Sequence, residues 1–355
     1  MKVLYLTNIH NPYRDEFFEQ LGQQCDLTVL FEQRSDDVRD ASWFENAHAH
    51  SYKEVFLSEG ERGPISKTML RMLGGGSFVV VGCYNTSRQM AAISYMKRHG
   101  ISFVVNSDGA VFDTGSAAKR CIRKCVLRNA NAYLIAGKTC VAGLRRVVGR
   151  KAPVSSYPLS SLSKACCAEM VSSAAERDPK LILVVGQYED YKGLDVALDA
   201  VKLLPRDLRF RFVGAGKKTD QLVAAANARG LGNVEVIPFM APNELAKEYL
   251  RAGLFVLPSR QECWGLVVNE AAACGCPIVS TWGAGAAVEF VSSEYPQFLS
   301  EPNSADSLAL TISAFLKRPD GEKAEYSAFL QTKAASYTIE DMVDAHMKLF
   351  MELAS

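Results

Sequence analysis

The chain of 355 residues lacks any run of the roughly 18 apolar residues that a membrane-spanning helix needs. Its first residues, MKVLYLTNIH, also lack the long apolar core and the small-residue cleavage site of a signal peptide. From these absences we expect a protein that stays in the cytosol.

Paired cysteine spacings are absent as well. None of the ten cysteines forms a C-x-x-C motif, and most lie in apolar segments. This pattern favours reduced thiols in the core over disulfides or zinc ligands. We therefore expect no bound metal. The cysteines are Cys25, Cys83, Cys121, Cys125, Cys140, Cys166, Cys167, Cys263, Cys274 and Cys276.

The chain as a whole has no large excess of charge of either sign, since its formal net charge is +1. The charged residues are nevertheless unevenly distributed along it. Between Arg62 and Lys151 there are sixteen Lys or Arg residues and two acids, Asp108 and Asp113. One face of the first half should therefore be strongly positive. Apolar residues make up 48% of the chain, which is enough for two domains with separate cores.

Short apolar runs alternate with amphipathic stretches, the pattern of parallel sheets with crossover helices. We predict an α/β fold with two Rossmann-like, doubly wound parallel-sheet domains. The Ser- and Ala-rich stretch near 155–179 indicates the connection between them. We place the first domain at 1–165, a linker at 166–179 and the second domain at 180–337. The final helix, within 338–355, could close the second domain or pack back on the first.

The predicted strands are VLYLT (3–7), LTVLF (27–31), FVVVG (78–82), SFVVN (102–106) and AYLIA (132–136) in the first domain, and LILVVG (181–186), RFRFVG (209–214), VEVIPF (234–239), LFVLPS (254–259) and PIVST (277–281) in the second. The predicted helices of the first domain lie at 14–25, 86–99, 116–129 and 138–148. Two such domains side by side would leave a cleft at the carboxyl ends of their strands, where open α/β sheets bind ligands.

The stretch PSRQECWGLVVNEAAACGCPIV, 258–279, carries two acids in an apolar setting. Glu262 lies in the loop after a strand, and Gly265 allows a tight turn into a helix whose free N–H groups suit a phosphate. Glu270 lies in that helix among apolar neighbours. A carboxylate there needs hydrogen-bond donors. The hydroxyls of a ribose could supply them, but a backbone group or a basic side chain could do so equally.

This stretch resembles the signature of glycosyltransferase family 4, a retaining group with the GT-B fold. Glu262 and Glu270 have the spacing of its E-x7-E pair, in the context S-x-x-E-x-x-G-x-x-x-x-E-A. In the family the first acid contacts the transferred sugar and the second holds the nucleotide ribose. VGQYEDYKG (185–193) resembles the family's VGR-x-x-x-KG turn, which grips the diphosphate, with Gln187 in place of the usual Arg.

FVGAG (212–216) and GAGAAVE (283–289) resemble the family's next two glycine-rich loops. The resemblance covers about 180–292. It implies Glu262 as a catalytic residue and a donor site made by Gln187, Lys192, Gly214, Cys263, Trp264, Gly265, Leu266, Glu270 and Gly285. Taken alone, G-A-G at 214–216 is a fragment of a dinucleotide fingerprint without its third glycine, so a hydride-transfer enzyme fits poorly.

The first domain offers the acceptor side. The loop NSDGAVF (106–112) aligns loosely with one in which relatives often have a histidine beside the donor sugar, and Asp108 stands there. We predict a catalytic role for Asp108, in contact with the sugar or the acceptor hydroxyl. An Asp-Gly turn needing no ligand is the alternative. From the loop after the first strand, His10, Tyr13 and Arg14 are candidates to meet the acceptor.

The segment AAKRCIRKCVLR (117–128) places basic residues along one side of a helix. Such a helix can lie on an anionic lipid surface, and relatives act on lipid-linked acceptors. We predict peripheral membrane contact through Lys119, Arg120, Arg123 and Lys124. A charged helical face is otherwise merely solvated. We expect no nucleic-acid partner, because the basic region has no aromatic platform and no recognised binding motif.

Together these features predict a metal-independent hexosyltransferase. No D-x-D triplet occurs, so Lys192 and backbone amides would neutralise the leaving diphosphate. The family suggests a UDP-sugar donor, no further cofactor, and a glycan or lipid-linked acceptor in bacterial surface polysaccharide assembly (lipopolysaccharide, capsule or exopolysaccharide), at the inner face of the cytoplasmic membrane. A nucleotide-sugar epimerase and a non-catalytic sugar-nucleotide binding protein are the alternatives.

Overall fold

The computed structural model describes residues 1–33, 50–57, 65–82, 84, 86–109, 121, 124–128, 130–173, 176–214 and 216–354. The chain divides into two compact units. The first comprises Met1–Ser161 together with Ile339–Ser355, and the second comprises Leu162–Thr338.

The first unit is built on a seven-stranded sheet in the order β3-β2-β1-β4-β5-β6-β7, with every pairing parallel. The strands are β1 (Lys2–Ile9), β2 (Asp26–Gln33), β3 (Lys53–Phe56), β4 (Phe78–Val81), β5 (Phe103–Ser107), β6 (Ala132–Ala136) and β7 (Val154–Tyr157). Its helices span Pro12–Gln24, Lys67–Leu73, Ser87–His99, Cys140–Val148 and Ile339–Ala354.

The second unit is built on a six-stranded parallel sheet in the order β10-β9-β8-β11-β12-β13. The strands are β8 (Asp178–Val185), β9 (Arg209–Val213), β10 (Val234–Ile237), β11 (Ala252–Leu257), β12 (Ile278–Thr281) and β13 (Leu299–Ser300). Its helices span Lys164–Ser172, Leu194–Val201, Thr219–Ala228, Pro242–Arg251, Val267–Ala273, Gly285–Val291, Ala305–Leu316 and Asp320–Ala334, with single 3₁₀ turns at Asp190–Lys192, Gly216–Lys218 and Pro296–Phe298.

Both sheets reverse their strand order once, and this reversal fixes where a ligand can bind. The first reverses between β1 and β4, and the second between β8 and β11. With right-handed crossovers, the helices on either side of such a switch point cover opposite faces of the sheet and leave a crevice at the carboxyl ends of the two strands. The predicted fold class, two Rossmann-like parallel-sheet domains, is confirmed.

All ten predicted strands are present, and most of their apolar residues are buried in the sheets. Every residue of β5 and β6 is buried, for example. Three strands were not predicted, β3 (KEVF), β7 (VSSY) and β13 (LS). All three are edge strands, and they are short or carry polar residues, so their sequences lack the apolar run on which the prediction depended.

Residues 166–179, expected to form a linker, hold most of the helix Lys164–Ser172 and the first residues of β8. Ser163 caps this helix, since its hydroxyl accepts from the Cys166 N–H at 3.3 Å. Sequences rich in small residues occur both in helices and in connecting segments. Here the Ser163 cap favours the helix. The predicted helix at 116–129 lies largely outside the described residues.

The C-terminal helix Ile339–Ala354 belongs to the first unit, a choice that the sequence left open. The ring of Phe350 lies 5.0 Å from that of Phe78 in β4, and the ring of His346 lies 4.8 Å from that of Phe17. The chain therefore returns to its first sheet after completing the second.

Arg177 fixes two helix ends in the second unit. Its guanidinium donates to the carbonyls of Tyr249, Leu250 and Ala252 at 2.8, 3.0 and 3.0 Å, and to that of Cys274 at 2.5 Å. These carbonyls lie at the ends of Pro242–Arg251 and Val267–Ala273, where no intrahelical donor remains. Arg177 thus holds in place the helices that carry Tyr249 and Glu270.

Candidate active site

At the switch point of the second sheet, the turn after β8 packs on the loop after β11. Gly193 has φ +65°, and a Cβ built on it would lie 2.3 Å from the carbonyl oxygen of Pro258. Only glycine allows both this backbone conformation and this approach. The turn is also tied by the Arg260 N–H, which donates to the Tyr191 carbonyl at 2.8 Å.

A side-chain ion pair fastens the same two segments. The Arg260 guanidinium binds both carboxylate oxygens of Asp195, at 2.9 and 2.6 Å, and donates to Asn303 Oδ1 at 2.8 Å. Burial has the largest single effect on the pKa of Asp195 and raises it. The hydrogen bond and charge of Arg260, together with backbone hydrogen bonds, outweigh burial and lower the pKa. A bidentate pair fixes orientation as well as distance.

The loop after β12 joins them through the backbone. The Glu262 N–H donates to the Gly283 carbonyl at 2.8 Å, and the Gly285 N–H donates to the Glu262 carbonyl at 3.2 Å. A Cβ on Gly283 would lie 2.3 Å from the Arg260 oxygen, and one on Gly285 would lie 2.3 Å from the Cys263 oxygen. The loops after β8, β11 and β12 therefore form one backbone assembly, which we call the three-loop platform.

Lys192 and Glu262 meet on this platform. Lys192 Nζ lies 2.6 Å from Glu262 Oε2, and the two side chains are 12% and 14% exposed. The Ser259 hydroxyl donates to the same carboxylate oxygen at 3.1 Å. Two predicted site residues that are 70 positions apart in the chain are thus in direct contact with each other. Solvent is largely excluded from this contact.

Glu270 lies in the helix Val267–Ala273, near enough to Lys192 to be affected by its charge. The buried Tyr249 hydroxyl donates to Glu270 Oε2 at 3.4 Å. Burial raises the pKa of Glu270 to about 7, although the Tyr249 hydroxyl and the positive charge of Lys192 oppose the rise. The carboxylate is therefore under-solvated in the protein alone, and hydroxyl donors from a ligand would stabilise its charged form.

The other predicted donor residues of the second unit lie around the same loops. Gly214, with φ +93°, packs against Gly186, since a Cβ on it would lie 3.7 Å from that residue's carbonyl group. Gly265 has φ +98°, and the space beside its Cα is filled by Glu262 and Leu257. Trp264 is buried, and its indole N–H donates to Asn269 Oδ1 at 3.0 Å. This bond links the loop to the helix Val267–Ala273. The remaining three are exposed or half-buried, namely Gln187, Cys263 and Leu266.

In the first unit, Asp108 follows β5 and is held by two donors. The Arg14 guanidinium donates to Asp108 Oδ1, and the Tyr157 hydroxyl donates to the same oxygen at 2.8 Å. Arg14, expected on the acceptor side, is 3% exposed and also donates to the Tyr5 hydroxyl at 2.7 Å. It serves Asp108 from within the protein rather than presenting itself to solvent.

His10 is buried beside two acids. Its Nε2 lies 2.9 Å from Asp15 Oδ1 and 3.6 Å from Glu54 Oε1. The hydrogen bond to Asp15 raises the pKa of His10, against the effect of burial. The side chain of Tyr13 lies outside what the structure describes, so its predicted role stays a prediction.

Of the four basic residues predicted to contact a membrane, the structure describes Lys124, which is exposed; Lys119, Arg120 and Arg123 lie outside the described residues. Other described bases of the first unit are exposed too, among them Arg145, Arg146, Arg150 and Lys151. None of the helices in the described ranges is long and apolar enough to cross a bilayer.

Four residues that support the site were not predicted: Tyr249, Asp195 and Arg260 in the second unit and Tyr157 in the first. Each acts on a partner at least 21 positions away along the chain. No local motif marks such pairs, although Arg260 stands inside the predicted signature stretch. Across the same described part of the chain, no three His, Cys, Asp or Glu side chains are grouped to hold a metal ion.

Comparison with known proteins agrees with this geometry. Residues 168–332 match the family model Glycosyl transferases group 1. This match supports a group 1 glycosyltransferase. It covers the three-loop platform and both acids, Glu262 and Glu270. An uncharacterized glycosyltransferase of Methanocaldococcus jannaschii is 30% identical over 148 residues, 42% of this chain and 41% of that protein. The match thus spans about two fifths of that relative's length.

Two solved structures share the whole fold at low identity. HepE from Anabaena, in complex with UDP, superposes with a TM-score of 0.76 at 15% identity, and sucrose-phosphate synthase from Thermosynechococcus elongatus with 0.74 at 18%. Each comparison covers 100% of both chains. The chain therefore has the GT-B type of architecture, two Rossmann-like units in one polypeptide.

Gly193→Ala should loosen the three-loop platform. The left-handed backbone alone costs about 1–2 kcal/mol for alanine, and the clash with Pro258 should add about 1–3 kcal/mol. Gly230→Ala is the matched control, because Gly230 has φ +66° and nothing within 4 Å of its Cβ position. Urea unfolding of both variants measures the difference. Equal losses of stability would mean that the close approach to Pro258 is not maintained in solution.

Glu270→Gln should stabilise the protein increasingly as the pH rises. The folded-state pKa of Glu270, about 7, lies above its ordinary value of 4.5. The wild type therefore loses stability as the pH rises from about 4.5 through 7, because the buried group must ionise, whereas glutamine does not titrate. We expect the variant's advantage to grow by on the order of 2 kcal/mol between pH 5 and pH 8. Denaturant unfolding at both pH values measures it, and an advantage independent of pH would contradict the assigned cause.

Proposed function

We propose that this protein is a retaining glycosyltransferase of family 4 that moves a hexose-type sugar from a nucleotide-diphosphate sugar to a glycan or lipid-linked acceptor. The contact between Lys192 and Glu262 at the switch point of the second sheet carries the proposal. It puts a cation for a diphosphate and a carboxylate for sugar hydroxyls side by side, with Glu270 next to them for the ribose.

The second unit would hold the donor. Lys192, with three N–H donors, can bind a phosphate oxygen while it keeps its bond to Glu262. Hydroxyls of the ribose would satisfy the under-solvated carboxylate of Glu270. Structures of HepE hold UDP and UDP-glucose, which supports a uridine nucleotide as the donor here as well. No cofactor beyond this substrate is proposed.

Charge stabilisation would come from the protein itself. As the sugar leaves, negative charge develops on the diphosphate, and Lys192 together with backbone N–H groups would oppose it. We therefore propose a metal-independent reaction. Glu262 would orient the sugar and stabilise positive charge near its anomeric carbon. With retention of configuration, the leaving phosphate takes the acceptor proton on the same face.

The first unit would take the acceptor. Asp108, held by Arg14 and Tyr157, is a carboxylate that can accept a hydrogen bond from a sugar or acceptor hydroxyl. The basic residues Lys119, Arg120, Arg123 and Lys124 would contact anionic lipid, and the exposure of Lys124 supports this. We propose a place at the inner face of the cytoplasmic membrane, in the assembly of a bacterial surface polysaccharide such as lipopolysaccharide, capsule or exopolysaccharide.

Two alanine variants test this function, because one should change mainly KM and the other mainly kcat. Glu270→Ala should raise the KM for the nucleotide sugar, and Glu262→Ala should lower kcat by about 100-fold or more, because it acts on the reacting sugar. Glu322→Ala, at an exposed ion pair with Arg318, is the control and should match the wild type. Steady-state kinetics with a panel of UDP-, GDP- and ADP-sugars provide the measurement.

The same assay separates the alternatives. Isomerisation of the donor in the absence of any acceptor would identify an epimerase. Binding of the donor with neither transfer nor slow hydrolysis would identify a non-catalytic binding protein. Full activity in both acidic variants would remove the assignment of the E-x7-E pair.

A further inference from the structure

Five side chains in the first unit form a hydrogen-bonded series that ends on the carboxylate of Asp108. We call this series the file; its members are Asp108, Arg14, Tyr5, Asn106 and His346. The Arg14 guanidinium joins Asp108 to the Tyr5 hydroxyl, with which it bonds at 2.7 Å. The Tyr5 hydroxyl donates to Asn106 Oδ1 at 2.6 Å. The Asn106 amide lies 3.2 Å from His346 Nε2. Asp108 is 30% exposed and Arg14 is 3% exposed, and the other three side chains are fully buried.

The hydrogen bonds in this file have mutually consistent directions. Tyr5 gives its only proton to Asn106 Oδ1, so the other end of that amide is an N–H donor and His346 Nε2 must accept. The His346 Nδ1–H then donates to the Met342 carbonyl at 2.7 Å. Burial lowers the pKa of His346 to about 4, which keeps the ring neutral as this arrangement requires.

The middle of the file is closely packed. A Cβ on Gly82 would lie 2.4 Å from Cε1 of Tyr5, so the backbone of the loop after β4 lies directly against that ring. The Tyr5 and Phe18 rings pack edge to face with centroids 5.0 Å apart. On the far side, His346 is enclosed by Phe17 and Tyr157, with ring centroids at 4.8 and 4.9 Å.

We propose that Tyr5, Asn106 and His346 are positioning residues, which act through Arg14 to hold the Asp108 carboxylate in one orientation towards a hydroxyl of the substrate. The inference rests on the proposed transferase function. An aspartate that only shaped the turn with Gly109 would need a backbone partner and no buried guanidinium. Here the C-terminal helix, 238 residues further along the chain than Asp108, returns to the first sheet and completes the support.

The physical reason lies in the geometry of Arg14. A planar guanidinium bound at two of its nitrogens has a fixed plane, and a carboxylate bonded to it inherits that plane. Without the Tyr5 hydroxyl, Arg14 Nη1 loses a buried hydrogen-bond partner, and the plane of the guanidinium is held less firmly. The Asp108 carboxylate would then lose its orientation while keeping its charge.

Tyr5→Phe tests this directly, with Tyr133→Phe as the matched control. Tyr133 lies in the same unit, is equally buried, and donates to the Leu127 carbonyl at 2.6 Å outside the file. In transfer assays Tyr5→Phe should lose about tenfold or more in kcat with an unchanged KM for the donor, while Tyr133→Phe keeps the wild-type kcat. Combined with Asp108→Asn, Tyr5→Phe should cause no further loss. Tyr157→Phe, which removes the other donor to Asp108, should show the same pattern.

A second readout does not depend on activity. In thermal unfolding, the combined Tyr5→Phe and Asp108→Asn variant should lose less in Tm than the sum of the single losses, whereas Tyr133→Phe and Asp108→Asn should add. Additive losses, or a kcat in Tyr5→Phe equal to that in Tyr133→Phe, would overturn the positioning role and leave the transferase assignment intact. A wild type that transfers no sugar would refute the transferase assignment, and the unfolding cycle would still decide whether Tyr5 acts on Asp108.

Discussion

The ion pair between Lys192 and Glu262 is the contact on which the proposed donor site depends. It joins the loop after β8 to the loop after β11, the two strands between which the second sheet reverses its order. A largely buried pair keeps its place only if further hydrogen bonds satisfy its members. Ser259 donates to the carboxylate, and the close packing of Gly193 on Pro258 sets the distance between the loops.

This arrangement explains why glycines and charged residues occur together in these loops. Gly193, Gly283 and Gly285 each lie where a Cβ would meet a carbonyl oxygen at 2.3 Å. The backbones can therefore approach until side chains from different loops share one small volume. Charges that would be screened in water act strongly there. A ligand that carries both phosphates and hydroxyls matches the resulting pattern of one cation and two carboxylates.

Much of the second unit could be predicted from the sequence, because the residues of its candidate site follow local spacings. The spacing of eight positions between Glu262 and Glu270, the K-G pair at 192–193 and the glycine after β11 are visible without coordinates. The central strands were visible for the same reason, as continuous apolar runs buried on both faces. The short edge strands β3, β7 and β13 carry no such run, so their presence depends on pairing with a neighbour.

The support of the site was beyond sequence reasoning, because it depends on pairs far apart in the chain. Arg177 reaches helix ends between 72 and 97 positions away, and Asn106 reaches His346 across 240 positions. Arg14 was expected to face the acceptor, since it follows a strand end, yet its side chain turns inward to Tyr5 and Asp108. Position after a strand indicates a site but does not fix the direction of a side chain.

The most direct test of the central claim is nucleotide binding by wild type and Lys192→Met, followed as the rise in Tm with UDP, GDP and ADP. A ligand bound by the folded protein alone raises its stability by about 2.7 kcal/mol at a concentration 100 times its Kd. We expect a clear rise in Tm with one nucleotide, UDP, in the wild type and the loss of this rise in Lys192→Met. The absence of any rise in the wild type, or an equal rise in the variant, would contradict a diphosphate site at Lys192 and Glu262.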